Sequence, residues 1–408
     1  MSNWPLGIVS SANFSSGLNL WIWGSFDQGV TSAAGLYKAV GSEHGGGPQR
    51  SSSPILIGGN DPSANGADIS WEDGGRPLDG VVNQMRIGTS NQTCLVISEG
   101  KLYSWGNSQD GIQGHGDIVK RSVVTQVGSD EDWESISVTK HHCLATRGGA
   151  LYSWGKNTGG ELGHGDVVFR SSPVQVGSAT NWTKVNACQS HSAAINSDNE
   201  LYVWGLNSNG KLGDGTVISR SSPVQIAGTD WFGVEIKVSA TSFFQKTDGT
   251  LWVVGEQNAG EFGNGAAAEQ TSSPIQVGSD TDWAAVTGSS EGNIIALKTN
   301  GTIWSWGKGA TGGLGHGDVA NRSVPTQIGS STNWTDIATQ DDAKASWGIA
   351  GGVLYAWGDQ NHYGALGVGT QGASNDVSSP VVVVGGFTDW IAVYAGGDTT
   401  LGLRTGNS

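Results

Sequence analysis

The residues most suggestive of chemistry lie in the glycine-bracketed segment GELGHGDVVFRSSPVQVG, from Gly160 to Gly177. His164 and Asp166 in this segment stand between glycines of the kind that cradle phosphates or present ligands to a metal ion. The segment recurs as GIQGHGD, GKLGDGT, GEFGNGA, GGLGHGD and GALGVGT. The residue between the glycines is His, Asp, Asn or Val, and valine can bind neither a metal ion nor a proton. We therefore interpret the segment as a structural turn.

Two further motifs invite a chemical interpretation. The stretch KHHC, from Lys140 to Cys143, places histidines beside a thiol. A cysteine nucleophile needs a base that faces it, whereas adjacent residues of a strand point to opposite faces. Cys94 occupies the position of Cys143 one repeat earlier, so we expect both to be buried packing residues. Cys188 does not occupy this repeat position, and from the sequence we expect no partner group near it.

The acidic turns GSDEDW and GSDTDW suggest calcium, but two carboxylates fall short of the six to eight oxygens that this ion takes. We expect these aspartates to bond to their own turn backbone. The stretch GLGHG from Gly313 is followed by a proline-containing strand, not by the helix that a dinucleotide fingerprint requires. We therefore expect no catalytic, metal-binding or cofactor-binding residues and no cofactor.

These motifs belong to a longer repeat. An aromatic strand ending in Trp-Gly, exemplified by ALYSWG, recurs seven times at spacings of 82, 49, 50, 50, 52 and 51 residues. The seven repeat positions are Trp23, Trp105, Trp154, Trp204, Val254, Trp306 and Trp357. Each copy continues with the glycine turn, a strand such as SSPVQVG, a segment beginning Asp-Trp or Asn-Trp, and a strand such as HSAAIN.

Four short strands per copy and seven copies predict an all-β fold, a seven-bladed β-propeller. The strand ALYSWG alternates in the period-2 pattern of a sheet. The last repeat ends in DWIAVYAGGDTTLGLRTG, which is half a blade, and the first begins with LNLWIWG, which is the other half. We therefore expect the N- and C-terminal strands to pair in one blade and so to close the ring.

The pattern LYSWGxNxxGxLGHGD followed by SSPVQV resembles the repeat of the regulator of chromosome condensation family, over roughly 18–406. The resemblance implies a seven-bladed propeller. A eukaryotic member binds a small GTPase with one face and chromatin with the other, and a plant member senses UV-B light through tryptophans in GWRHT segments. The matching segments here, such as VTKHH and CQSHS, contain no tryptophan, so we do not expect photoreception.

Charge and composition limit the classes of partner that the chain could bind. The chain has 21 Lys and Arg against 36 Asp and Glu, a net charge of −15, and no run of three basic residues. We therefore expect no nucleic-acid partner, because phosphate backbones require clustered cations. We also expect no membrane insertion, no signal peptide and, from three cysteines, no disulfide framework.

The first repeat departs from the others. We predict one domain over residues 1–408, with insertions at about 25–49 and 59–80. The first insertion contains an apolar patch, and the second places a tryptophan beside charged residues, a combination used at interface hot spots. The alternative is that both are plain surface loops. The candidate protein contacts are Leu36, Tyr37, Val40, Trp71, Glu72, Asp73 and Arg76.

The resulting prediction is a non-enzymatic protein-interaction module without a small-molecule substrate. Abundant Ser, Thr, Asn, Gly and Trp, with scarce Lys, Met and Cys, favour a structural component of a bacteriophage particle, such as a tail, fibre or capsid-surface protein. Its partners would be other proteins of a large assembly, and it would be made in the cytoplasm and reside in the virion. The alternatives are a cellular scaffold or small-GTPase regulator, and an inhibitor-like binder of another enzyme.

Overall fold

The fold is all-β. The computed structural model describes residues 19–26, 49–58, 82–87, 93–98, 100–235, 240–340, 345–359, 366–369, 376–396 and 399–405. Within these ranges the strands form seven sheets of four strands, and the helical segments are two short 3₁₀ turns, Gln109–Gly111 and Ala310–Gly312. The predicted seven-bladed β-propeller is therefore confirmed. Each sheet is called a blade below, numbered in chain order from the blade that contains residue 19.

Each blade has a first, second, third and fourth strand, paired in that order. The first strands are β3 (Val82–Ile87), β7 (Trp133–Val138), β11 (Trp182–Ala187), β15 (Trp231–Glu235), β19 (Trp283–Gly288), β23 (Trp334–Thr339) and β27 (Trp390–Gly396). The second strands are β4 (Thr93–Ser98), β8 (His142–Arg147), β12 (His191–Asn196), β16 (Thr241–Lys246), β20 (Asn293–Lys298), β24 (Ala345–Ala350) and β28 (Thr399–Arg404).

The outer half of each blade holds the repeated Trp-Gly strand and its neighbour. The third strands are β1 (Asn19–Phe26), β5 (Lys101–Gly106), β9 (Ala150–Gly155), β13 (Leu201–Gly205), β17 (Leu251–Gln257), β21 (Ile303–Gly307) and β25 (Val353–Gly358). The fourth strands are β2 (Gln49–Gly58), β6 (Arg121–Gln126), β10 (Arg170–Gln175), β14 (Arg220–Ile226), β18 (Glu269–Gln276), β22 (Arg322–Gln327) and β26 (Val377–Val382).

The first strands of successive blades contact one another in a circuit. β3 contacts β7, and the contacts continue through β11, β15, β19, β23 and β27, which contacts β3 again. Blade 1 is built from the two ends of the chain, in the order β2, β1, β28, β27. β1 and β28 are antiparallel, with Asn19 opposite Arg404 and Gly24 opposite Thr399. The predicted pairing of N- and C-terminal strands in one blade is therefore present.

The two predicted insertions fall almost entirely outside the described residues. Residues 27–48 link β1 to β2, and residues 59–81 link β2 to β3. They attach to opposite ends of β2, a strand of 10 residues. At about 3.3 Å per residue, these attachment points lie roughly 30 Å apart. The assignment of both insertions to one domain stays a prediction.

The repeated tryptophan of the third strand ties its blade to the preceding one. Its indole N–H donates to a carbonyl in the preceding blade's glycine turn, and the indole is buried. The donor, acceptor and distance are Trp154 to Ile112 at 2.8 Å, Trp204 to Glu161 at 2.7 Å, Trp306 to Glu261 at 2.8 Å, and Trp357 to Gly313 at 3.0 Å. Each bond gives the buried indole N–H a hydrogen-bond acceptor and so avoids the cost of an unsatisfied donor.

A second-strand side chain reaches the same carbonyls. Ser192 Oγ donates to Glu161 O at 2.8 Å, and Ser346 Oγ donates to Gly313 O at 3.1 Å. Cys143 Sγ lies 3.5 Å from Ile112 O and is fully buried, which confirms its predicted packing role. The seam between one blade and the next is thus fixed by side chains of two neighbouring strands.

Blade 5 contacts blade 4 without the repeated tryptophan. Val254 stands at the repeat position, and a Cβ on Gly213, in the turn of blade 4, would lie 3.3 Å from Val254 Cγ1 and 3.4 Å from the ring of Phe244. Ser242 Oγ still donates to Lys211 O, at 2.8 Å. Val254 and the aromatic ring of the adjacent strand therefore pack together beside the turn where an indole packs in other blades.

The first glycine of each LGHG turn is required by this packing. Gly163 has φ +79°, and a Cβ there would lie 2.9 Å from Trp204 Nε1. Gly315 has φ +78°, and its Cβ would lie 2.9 Å from Trp357 Nε1. A side chain at either position would meet both an unfavourable backbone conformation and the indole of the next blade.

We expect Gly163→Ala to destabilise the propeller more than Gly177→Ala does. Gly177 also has a positive φ, of +64°, but nothing lies within 4 Å of its Cβ position. Its substitution should cost about 1–2 kcal/mol for the left-handed backbone, whereas Gly163→Ala should add about 1–3 kcal/mol of overpacking. Urea unfolding midpoints of both variants test this, and equal midpoints would contradict the role of the indole contact.

Candidate interaction surface

The histidines of the glycine turns are bound to serines of the third strand. His115, His164 and His316 place Nε2 2.9, 3.0 and 2.8 Å from the hydroxyls of Ser104, Ser153 and Ser305. Ser153 Oγ is buried and donates to Leu162 O at 2.7 Å, so His164 must donate to the serine. Burial lowers the pKa of all three histidines, that of His316 to about 4. The histidine that donates to this hydroxyl does not act as its base, and the segment forms a turn, as expected.

The aspartate after the turn secures the loop that follows. Asp166 forms two hydrogen bonds with Arg170, of 3.0 and 2.9 Å, and accepts a third from Val168 N at 3.0 Å. The arginine holds the pKa of this exposed carboxyl below its usual range. Asn157 Nδ2 donates to the carbonyls of Asp166 and Val168 from the other side. Asp117 with Arg121 and Asp318 with Arg322 repeat the ion pair.

The tips of these secured loops are apolar and exposed in blades 2, 3 and 4. Their side chains are between 46% and 73% exposed. We call this set the apolar rim; its members are Ile118, Val119, Val167, Val168, Phe169, Val217 and Ile218. In blade 5 the corresponding stretch is Ala266–Ala268, and in blade 6 it keeps one exposed apolar residue, Val319, so among the described residues the rim is concentrated on three consecutive blades. Exposed apolar clusters of this kind mark sites of protein contact.

The rim was missed by sequence reasoning, which treated the whole segment as a turn. The signal is present in DIVKR, DVVFR and TVISR, where two or three apolar residues follow each turn. Alternation alone does not tell whether such residues face the core or solvent. The structure shows that the Asp–Arg pair and the asparagine hold them outward.

The KHHC motif divides its residues between two faces, as predicted. His141 Nδ1 lies 3.1 Å from Asp110 Oδ2 near the surface. His142 is fully buried, and its Nε2 lies 2.8 Å from Ser192 Oγ in the next blade. The side chain of Cys94 lies outside the described part of the molecule.

The expectation that Cys188 has no partner group is wrong. Cys188 is buried, and Lys211, also buried, interacts with it electrostatically. The two residues belong to different segments of the repeat, so their sequence positions give no indication of this proximity.

The acidic turns also differ from expectation. Asp130 and Asp132 pair with Arg147, and Asp280 and Asp282 bind Lys298 Nζ at 2.7 and 2.9 Å. The cation of Lys298 lies 4.7 Å from the ring centroid of Trp283. The carboxylates therefore neutralise a cation stacked on the blade's own tryptophan, and backbone bonding within the turn is not their principal role.

The seven contact residues predicted from the first repeat, Leu36 to Arg76 in the two insertions, lie outside the described residues. Among the residues that are described, no cluster of three or more His, Cys, Asp or Glu could hold a metal ion. No helix in those ranges has the length and hydropathy to cross a membrane.

Comparison with known proteins identifies the repeat in four segments of the chain. The model described as Regulator of chromosome condensation (RCC1) repeat matches residues 148–195, 198–238, 300–340 and 351–403, and a second RCC1 repeat model matches residues 182–211. The chain contains RCC1 repeats. Its similarity to human WBSCR16 extends over 95% of this chain and 98% of that one, with 19% identity and a TM-score of 0.74. Yeast RCC1 (Prp20), solved bound to Kap60, gives 16% identity, a TM-score of 0.75, and coverage of 98% and 90%.

Two curated relatives match a shorter region. Human E3 ubiquitin-protein ligase HERC2 is 35% identical over 99 residues, which are 23% of this chain and 2% of HERC2. Mouse protein RCC2 is 29% identical over 100 residues, 24% of this chain and 19% of RCC2. The chain thus matches a small part of each relative's length. The solved structures share its fold at low identity.

Acid should destabilise the propeller through its buried histidines. Burial lowers the pKa of His142 to about 3 and that of His191 well below its ordinary value. Between pH 6.5 and 3 these histidines bind protons in the unfolded chain but stay neutral in the folded protein. The unfolding free energy should therefore fall as pH drops, by about 1.4 kcal/mol for each pH unit and each histidine.

Urea unfolding at pH 6.5, 5.5 and 4.5 tests this prediction with His142→Gln and His191→Gln. Each variant should be less stable than the parent at pH 6.5 and should lose less stability on acidification. A parallel loss in parent and variants would contradict it.

Proposed function

We propose that the chain is a non-enzymatic protein-interaction module that binds its partner through the apolar rim. The supporting observation is the exposure of seven large apolar side chains on adjoining loops of three blades. Ile118 of blade 2 and Phe169 of blade 3 line the same depression, so the loops of these two blades form one continuous surface. Covering such a surface is favourable at about 25 cal/mol per Å² of apolar area.

The loops that present the rim are already ordered. Asn157 and Asn207 each bind two carbonyls of their loop, and Leu162 N and Leu212 N donate to the same amide side chains at 2.9 Å. A partner that binds here does not have to order the backbone first, which lowers the entropic cost of association.

The side chains that suggest chemistry have structural roles, which supports a non-enzymatic function. The serines and histidines of the turns bind each other, His142 bonds to Ser192, and Cys143 is buried with its pKa raised. Catalytic groups need access to substrate, and these groups face neighbouring strands.

Replacing rim residues should weaken binding without loss of fold. We expect Ile118→Ser, Phe169→Ser and Ile218→Ser combined to lower affinity for the captured partner at least about tenfold, or about 1.4 kcal/mol. Val324→Ser with Val382→Ser removes equally exposed apolar residues from two fourth strands and should leave affinity unchanged. A photo-crosslinking residue at 168 should label the partner, and one at 382 should not. Equal labelling, or equal loss of affinity in both variants, would contradict the rim as the binding surface.

The assembly served by this module is a separate part of the proposal. Composition favours a structural component of a bacteriophage particle, which would place the chain in the virion. The relatives named above are not described as virion proteins, so this part rests on composition alone. The alternative, a small-GTPase regulator, is supported by the similar fold of Saccharomyces cerevisiae Prp20p, a protein with binding properties to Gsp1p and histones.

Two measurements separate these alternatives. A virion component should sediment with particles from the source lysate at a fixed copy number and remain there after a high-salt wash. A GTPase regulator should accelerate release of labelled GDP from small GTPases of its source cell, and the rim variant should lose that acceleration. Soluble chain with no particle fraction would contradict the first role, and unchanged GDP release would contradict the second.

A further inference from the structure

A cleft of about 470 Å³ opens at the seam of blades 2 and 3, within the apolar rim. Its lining combines one carboxylate, two amides, one hydroxyl and two apolar side chains. These residues are Asn107, Gln109, Asp110, Ile118, Phe169 and Ser171. Mixed linings of this kind suit a side chain that has an apolar stem and a polar end.

The walls of the cleft are fixed to each other. Gly116 N of blade 2 donates to Ser171 O of blade 3 at 2.8 Å, and Trp154 donates to Ile112 O across the same seam. Gly111 packs so closely on Ser171 that a Cβ there would lie 2.6 Å from the serine Cβ. The cleft is therefore formed before any partner arrives.

Asp110 occupies a backbone position that favours glycine. Its φ is +64°, and Thr311, at the equivalent position in blade 6, has a similar φ of +60°. A left-handed conformation costs a residue with a side chain about 1–2 kcal/mol. Here the strained position puts a carboxylate into the lining of the cleft.

The carboxylate of Asp110 has bonding capacity left. Oδ2 lies 3.1 Å from His141 Nδ1, and among the described residues Oδ1 has no hydrogen-bond partner. Asp117 and Asp166 on the same loops are each neutralised by an arginine. Asp110 is paired with a histidine, which carries charge only when protonated. The cleft thus presents negative charge beside two apolar side chains.

We propose that this cleft binds a lysine or arginine side chain of the partner that lies next to an apolar residue. The cation would pair with Asp110 Oδ1, and its aliphatic stem would pack on Phe169 and Ile118. A cation near the Phe169 ring also gains from its electrostatic attraction to the ring face. The net charge of −15 favours approach of a basic segment. This inference rests on the proposed function, because the cleft belongs to the apolar rim.

Peptide pools test the chemistry of the cleft. The probes are five synthetic pools of the form X-X-Leu-Z-X-X, in which X is randomised and Z is Arg, Lys, norleucine, Gln or Glu. The immobilised full-length chain should retain the Arg and Lys pools at least fivefold over the norleucine pool, and the Glu pool least of all. Mass spectrometry of the eluate measures each ratio, and added salt should lower the Arg and Lys ratios alone.

Three variants test which residues of the cleft determine the peptide preference. Asp110→Asn should bring the Arg-to-norleucine ratio close to one while norleucine binding stays, because asparagine tolerates the positive φ of the turn. Asp248→Asn, in an exposed turn between β16 and β17, should leave every ratio unchanged. Phe169→Ser should lower retention of all five pools. Unfolding midpoints show that each variant is folded.

The outcomes separate this inference from the proposed function. The parent chain could retain the Arg, Lys and norleucine pools equally, with retention lost in Phe169→Ser. That result would overturn the cation site but would still support the apolar rim as the binding surface. Preference for the Glu pool, or an Arg preference that survives in Asp110→Asn, would also overturn the cation site. Retention of no pool, or retention unaffected by Phe169→Ser, would overturn both.

Discussion

The hydrogen bond from a tryptophan indole to a carbonyl in the preceding blade is the interaction on which the rest of the structure depends. It joins blades 2 and 3, 3 and 4, 5 and 6, and 6 and 7. It requires the turn to run close beneath the indole, and this proximity requires the glycine at positions such as Gly163. The turn then fixes the loop behind it, whose tip forms the apolar rim. The seam between blades and the candidate binding surface are therefore parts of one arrangement.

Much of the fold could be predicted from the sequence because the repeat is regular. Seven copies at nearly constant spacing give the blade number, and the half-blades at the two ends give the pairing of β1 with β28. The hydrogen bond between the turn histidine and a third-strand serine could also have been predicted from the sequence. Serine at the third-strand position accompanies histidine in the turn at Ser104, Ser153 and Ser305, whereas Val203 and Val253 accompany Asp214 and Asn264.

The candidate site could be predicted less well from the sequence, for physical reasons. A period-2 pattern shows that Val167 and Val168 are apolar, but their exposure depends on the Asp166–Arg170 pair and on Asn157, which close the loop from both sides. Asp110 and His141 are far apart in sequence and meet across a seam. The partners of the acidic turns, Arg147 and Lys298, likewise come from a different strand. The first contact follows from the packing of one blade on the next, and the other two follow from the pairing of the first and second strands within a blade.

The pairing of Asn19 with Arg404 bears on the order in which the protein can fold during synthesis. Blades 2 to 7 are each continuous in sequence, so each can form once its own strands have left the ribosome. Blade 1 must wait, because β1 and β2 alone are a two-stranded hairpin, which has little stability in water. Until β27 and β28 arrive, the inner edge of β1 is unpaired and open to strands of other chains. The strands β1 and β2 are thus made before the rest of the propeller and are among its last strands to be secured, and the nascent protein passes through a stage with an open sheet edge.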